Sequence, residues 1–257
     1  MESNRAIKLT IMAGEIMLSS GAETYRVEDT MMRILQHCGL QNPESLCTST
    51  SIFASGASAD GTPITALKRV KVRGGNFDRV ARVNELSRNF VEDRLSIDDA
   101  IAALENIGST PPYPRILRLT GSAIVSFCFA FIFGGSVADS AAAFIAAFLM
   151  QMPVIFLEKH NVASLLRNMV GGAGGALCAL ILQRIGLGSN IDFIIIGTIM
   201  PLVPGVALTN AIRDILDGDL LSGSARILEA ILVAVGIAAG VGIVLTLWMS
   251  VFGGVVA

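Results

Sequence analysis

Five stretches of this chain, at about 119–137, 140–157, 168–183, 193–212 and 230–251, contain no Asp, Glu, Lys or Arg. Roughly 20 apolar residues rising 1.5 Å each cross a hydrocarbon core of roughly 30 Å, so each stretch can span a bilayer. The third has only 16 residues and needs help from its flanks. With 53% hydrophobic and 16% charged residues, the composition lies outside that of an ordinary soluble domain. The glycines favour close helix packing in lipid: Gly171 and Gly175 form one GxxxG, Gly236 and Gly240 another.

Charge divides the chain in two. Residues 1–114 carry 26 of the 40 charged side chains, and the remainder carries 14. The expected fold is a membrane α-helical one, five transmembrane helices preceded by a cytosolic α+β domain. Residues 1–110 form that domain, 111–118 a Pro-rich linker, and 119–257 the spans. The first apolar run, Ile11 to Ala13, is interrupted at Glu15 and no cleavage site follows, so it does not read as a secretory signal. Arg115, Arg118, Lys159, Arg167, Arg213 and Arg226 fall in loops on one side of the spans, against Arg184 on the other. The positive-inside rule then places the amino-terminal domain in the cytosol and the carboxyl terminus outside, with Trp248 as an interfacial anchor.

Within residues 1–110, helical spacing covers 4–19. Ser20-Gly21-Ala22-Glu23 offers a capping box for a second helix, Tyr25 to Cys38, which Gly39 stops. Ser45 to Ser58 and Thr62 to Arg73, the latter with alternating Val70 and Val72, read as two strands joined around Asp60-Gly61. Asn76 caps a helix through about Asp93, and Ser96 to Asp99 is a second capping box for a helix reaching Gly108. Pro111, Pro112 and Pro114 make the extended linker.

Several functions find no support. Nineteen Lys and Arg against 21 Asp and Glu leave no basic excess for nucleic acid. Cys38, Cys47, Cys128 and Cys178 show no CxxC or Cys/His cluster, so neither zinc nor a disulfide framework is expected. With only His37 and His160 there is no HExxH. Gly56 to Asp60 lacks the last glycine of GxSxG, and no Gly-Lys pair serves a phosphate loop. Gly172-Ala-Gly174 lies mid-span, where packing explains it better than a dinucleotide. No enzyme, cofactor or metal is expected. His37 reads as a cap or surface residue, and Gln151 and Asn168 as interhelical hydrogen-bonding groups rather than ligand contacts.

The informative region is the fourth span. Pro201, Pro204 and Gly205 remove backbone donors and interrupt the helix at membrane depth. Interrupted backbone is tolerated there where it is buried in protein or lines a wet cavity, and transporters use broken helices to present helix ends to substrate. Thr209 and Asn210 place a hydroxyl and an amide one turn beyond. A kink that merely packs against its neighbours is the alternative.

The run from Pro201-Leu-Val-Pro204-Gly205 through Asn210, Arg213-Asp214 and Gly218-Asp219, with Glu229 opening the next span, resembles the signature of the threonine/serine exporter family. Gly21-Ala-Glu23-Thr24-Tyr25-Arg26-Val-Glu28 is similar to that family's amino-terminal motif. The resemblance covers essentially the whole chain. It implies a secondary exporter of small hydroxy amino acids, threonine and serine, coupled to the proton gradient. In two-component bacterial relatives it implies export of a dicarboxylate such as succinate. It further implies the bacterial cytoplasmic (inner) membrane. Longer family members carry a second hydrophobic half, so a second small membrane subunit of the same family is the expected partner, in an oligomer.

On this reading the pathway residues are Pro201, Pro204, Gly205, Thr209 and Asn210, with helix-end dipoles facing a carboxylate. Gating or coupling falls to Arg213, Asp214, Glu23, Arg26 and Glu28; the alternative for each is a solvated, ion-paired surface. Arg213, Asp214, Asp217 and Asp219 form one charged cluster. Two rival classes remain open, a membrane-anchored hydrolase working through the first domain and a non-transporting accessory subunit.

Overall fold

The computed structural model describes residues 2–70, 75–110 and 113–253. In chain order the elements are α1 (Glu2–Ser19), α2 (Thr24–His37), β1 (Gln41–Cys47), β2 (Ser51–Ala57), β3 (Pro63–Arg69), α3 (Phe77–Val91) and α4 (Ile97–Ser109). There follow α5 (Arg115–Ile132), α6 (Val137–Lys159), α7 (Ser164–Arg184), α8 (Ile191–Ile199), a 3-10 turn (Met200–Leu202), α9 (Gly205–Leu216) and α10 (Leu220–Phe252). They group into two compact units. The first is Met1–Pro112 with Val206–Ile227, the second Tyr113–Gly205 with Leu228–Ala257. Residues 206–227 thus cluster with the amino-terminal residues and not with the apolar helices that flank them in sequence.

The first unit is α+β. Helix α1 buries Ala6, Leu9, Ala13 and Met17, a single 3.6-period stripe, and α2 answers with Val27, Met31, Ile34 and Leu35. The two helices meet at Gly14, where a Cβ would lie 2.6 Å from Met31 Sδ. Gly39, at φ +70°, turns the chain out of α2 as expected. The capping box does not form. Glu23 is the residue before α2 but makes no capping bond, and Ser20 Oγ is buried without a hydrogen bond. Glu23 is committed elsewhere, as described below. Asn76 and Ser96 do cap α3 and α4, accepting from the amides of Arg79 and Asp99.

The sheet is antiparallel in the order β1-β2-β3. The expected strand from Ser45 to Ser58 is in fact two strands. Their turn, Thr48 to Thr50, is held by Thr48 Oγ1, which accepts from the amides of Thr50 and Ser51. A turn built from hydroxyls carries no Gly or Asn to announce it. The β2–β3 turn does fall at Asp60-Gly61, with Gly61 at φ +82° and Asp60 accepting from the Thr62 amide. Val72, Arg73, Pro111 and Pro112, at the expected strand end and linker, lie outside the described residues.

The second unit is helical; among the described residues four helices, α5, α6, α7 and α10, the last shared with the first unit up to Ile227, are long and apolar enough to cross a membrane. The broken pair Ile191–Leu202 and Gly205–Leu216 makes a fifth span if counted as one. This fits a membrane α-helical protein. Small residues make the core: Ala142, Ala143, Ala146, Ala176 and Ala179 are all fully buried. The GxxxG glycines and Gly172 are packing positions. A Cβ on Gly172 would meet the Ile237 carbonyl oxygen at 2.6 Å, and one on Gly240 the Met169 carbonyl oxygen at 2.1 Å. Asp139 binds two segments of this unit together. Its Oδ2 accepts from the Ser136 amide and hydroxyl, and its Oδ1 from the amides of Ser189 and Asn190 at 2.6 and 3.0 Å.

Candidate functional site

Within the first unit, the bend between α1 and α2 is where the two sequence motifs meet. Gly21, at φ +91°, turns the chain so that the carbonyls of Gly21 and Ala22 face α9 and the start of α10. Asn210 Nδ2 donates to the Gly21 carbonyl at 3.0 Å, and Arg226 Nη2 to that of Ala22 at 3.2 Å. The Thr24 hydroxyl donates to Asp214 Oδ1 at 2.6 Å and its amide to the same oxygen at 3.3 Å. Arg226 Nε stands 3.1 Å from Asp214 Oδ2. Arg213 pairs with Glu23 Oε1, while Arg26 Nε lies 3.9 Å from Glu23 Oε2.

Burial separates the parts of this network. Asp214 is 0% exposed, Glu23 6% and Arg226 8%, whereas Arg213 and Arg26 are exposed. Helix α9 achieves this because Asn210, Ala211 and Asp214 share one face by helical spacing. Gly223 brings α10 against it: a Cβ there would lie 2.8 Å from the Ala211 carbonyl oxygen.

Beside this network stands Glu28, half-buried on α2, its Oε1 accepting from the Cys47 amide at 2.6 Å. Burial raises its pKa, and the nearby carboxylates of Asp219 and Asp214 push the same way against the Cys47 hydrogen bond. Cys47, beneath it, has its thiol pushed up by burial and by the Glu28 charge, so it is an unreactive neutral group. Asp219 caps α10 through the Ser222 amide, and Ser222 Oγ accepts from the Ser49 amide at 3.2 Å. Among the described residues no group of His, Cys, Asp and Glu is arranged to hold a metal ion. The arrangement can bear charge: one buried ion pair, Asp214 with Arg226, one buried carboxylate, Glu23, met by exposed arginines, and one carboxyl biased toward protonation.

A family described as "Putative threonine/serine exporter" matches residues 8–248, nearly the whole chain and both units. The chain belongs to the threonine/serine exporter family. It is 26% identical over 243 residues to a "Probable threonine/serine exporter" of Mycobacterium tuberculosis, covering 94% of this chain and 46% of that protein. To the "Threonine/serine exporter" of Corynebacterium glutamicum it is 26% identical over 244 residues, covering 92% of this chain and 50% of the other. The chain therefore spans about half the length of these two relatives. It is also 24% identical over 252 residues to the "Probable succinate transporter subunit YjjP" of Escherichia coli, covering 96% of each. These names describe transporters or their subunits, none of them an enzyme. No solved structure matches the chain.

In this member of the threonine/serine exporter family, Glu23, Arg26, Asn210, Arg213 and Asp214 come together, with Glu28 alongside. Thr209 is exposed on α9. Pro201, Pro204 and Gly205 belong to the second unit, at the break after the 3-10 turn. In the sequence Arg226 reads as a loop charge, Thr24 only as part of the amino-terminal motif and Cys47 only as an unclustered cysteine, while Ser49 and Ser222 carry no mark. Arg226 did carry a signal: a cation at the mouth of a long apolar helix needs a carboxylate, and Asp214 lies twelve residues earlier, with Glu229 three residues later.

Proposed function

We propose that the protein is a membrane subunit of a secondary exporter of small hydroxy amino acids, threonine and serine, coupled to protons and acting with a second membrane subunit of its family. The observation that carries this reading is the family match across both units. The half-length relation to the two named exporters supports a separate partner, since those chains hold about as much sequence again. The bacterial inner membrane, with the amino-terminal unit in the cytosol, is the location we assign.

In this reading the break at Pro201, Pro204 and Gly205 lies on the substrate path, with Thr209 and Asn210 just beyond it. Glu23, Arg26, Glu28, Arg213 and Asp214 are the gating and coupling group. The buried pairing of Asp214 with Arg226, beside Glu23 held by the exposed Arg213, supports gating. Such pairs exchange partners only at considerable cost, so they favour discrete states over gradual ones. Glu28 supports proton coupling, because a carboxyl already biased toward protonation changes charge more readily when its neighbours move.

Succinate is the second reading, favoured by the like-sized relative whose name calls it a transporter subunit. The deciding experiment measures efflux of labelled threonine, serine and succinate from loaded vesicles under an imposed proton gradient. It compares this chain alone, a co-expressed partner subunit alone, and both. Efflux only with both, abolished by collapsing the gradient, is the expected result. Its absence for every label, with both chains present in the membrane, defeats the proposal.

A further inference from the structure

The apolar interior of the second unit contains polar atoms that its own packing leaves unused. Ser126 is 0% exposed and Ser122 8%, and neither hydroxyl makes a hydrogen bond among the described residues. A serine inside a helix ordinarily satisfies its hydroxyl on the carbonyl four residues back, as Thr198 does here onto Ile194 at 2.7 Å. Ser122 and Ser126 do not. On α6, Gln151 Oε1 is likewise buried without a partner.

Packing places both serines, and the α6 turn that carries Gln151, against the broken helix. A Cβ on Gly197 would lie 2.6 Å from Ala130 Cβ and 2.8 Å from the Ser126 carbonyl oxygen, so α5 and α8 touch there. A Cβ on Gly175 would lie 3.0 Å from Thr198 Cγ2 and 3.2 Å from Met150 Sδ, which brings α7, α8 and the residue preceding Gln151 to the same level. Helices α5 and α8 run antiparallel, since a Cβ on Gly135, just past the end of α5, would meet Phe193 near the start of α8 at 3.0 Å. Ser122, one turn before Ser126, therefore falls opposite Met200 to Leu202, where α8 tightens into its 3-10 turn.

We infer that Ser122 and Ser126, with Gln151 contributed from α6, form an uncharged polar binding site at the helix break that takes a net-neutral small amino acid in preference to a dicarboxylate. Two hydroxyls can both donate to a carboxylate and accept from an ammonium or hydroxyl, and an amide oxygen accepts. The apolar runs that contain all three residues, 119–137 and 140–157, hold no Asp, Glu, Lys or Arg. A dianion there has only Arg118, one turn before Ser122 and already paired with Glu158, to offset the loss of its hydration, whereas a zwitterion carries its own balance of charge. This site rests on the export reading above and adds to it a location and a ground for choosing between the two substrates.

The test has two arms, both on the full chain in membranes with its partner subunit. In the first, Ser126→Cys is exposed to a small charged methanethiosulfonate reagent, and modification at position 126 is read by mass spectrometry. Modification that excess serine or threonine slows at least about tenfold, and succinate does not, is expected. No modification overturns the site, and stronger protection by succinate overturns its preference. In the second arm, Ser122→Ala and Ser126→Ala are compared with the unaltered chain in efflux and thermal stability. Removing an unsatisfied hydroxyl from an apolar core leaves stability unchanged or higher. Threonine efflux falling about tenfold in such stable variants is expected, and unchanged efflux overturns the assignment. If the unaltered chain exports none of the labels while position 126 remains reactive and protected, the export reading fails and the site stands.

Discussion

Thr24 and Asp214, 190 residues apart in sequence, are joined by a 2.6 Å hydrogen bond in which the threonine hydroxyl donates to a carboxylate with no exposure to solvent. Arg226 occupies the other oxygen of the same carboxylate. Asp214→Ala leaves the Arg226 guanidinium buried without its counterion, which costs about 3–5 kcal/mol. Replacing both by leucine recovers much of that loss, because no isolated charge remains. Thermal unfolding of the detergent-purified single and double variants measures the coupling.

Glu28 gives a pH dependence with a definite sign. Its folded pKa lies above the ordinary glutamate value of 4.5, chiefly through burial. The stability it contributes is therefore fully present below that ordinary value and is lost as pH rises through the folded pKa. Glu28→Gln keeps an oxygen for the Cys47 amide and cannot ionise. Stability against pH, measured from 4 upward on both proteins, should show a decline in the unaltered chain that the variant lacks.

Asn210 donates its amide to Gly21, and a neutral hydrogen bond of this kind is worth about 1 kcal/mol. Asn210→Ala should therefore leave membrane abundance, read by immunoblot, unchanged, while its proposed place on the pathway makes the same variant abolish export. Unchanged export removes Asn210 from the pathway.

Two glycines of α10 should respond in opposite directions. At Gly240 a Cβ would lie 2.1 Å from a backbone oxygen, so Gly240→Ala forces helices apart, at a cost of about 1–3 kcal/mol or more. At Gly242 a Cβ would meet nothing within 4 Å, and Gly242→Ala should stabilise by up to about 1 kcal/mol through helix propensity. Melting temperatures of the two variants decide the matter.

The helices and their apolar faces were legible because burial imposes a period on sequence. The stripe of Leu9, Ala13 and Met17 and the charge-free spans declare themselves. The membrane α-helical class and the family could both be read this way, the latter from motifs around Glu23 and Asp214. What sequence did not disclose was that the motifs touch. Ser20 and Glu23 have the spacing of a capping box, yet Glu23 pairs with Arg213, since a buried carboxylate gains more from a guanidinium than from a backbone amide. The Thr48 to Thr50 turn was hidden for a different reason: hydroxyls can make a turn without the glycine that usually marks one. Arg226 was overlooked because its partner stands on another helix, and pairings between helices leave no period in the chain.

The Thr24–Asp214 bond also sets a timetable. A ribosome adding about 5–20 residues per second delivers Asp214 roughly 10–40 s after Thr24. Throughout that interval the apolar helices α5, α6, α7 and α8 are still being made, while the bend at Gly21 to Thr24 waits without the donors and acceptors that complete it. Most of the first unit is thus made before α5 begins, and it is finished only after α8 is complete. Its final locking doubles as a report that the intervening segments have been delivered.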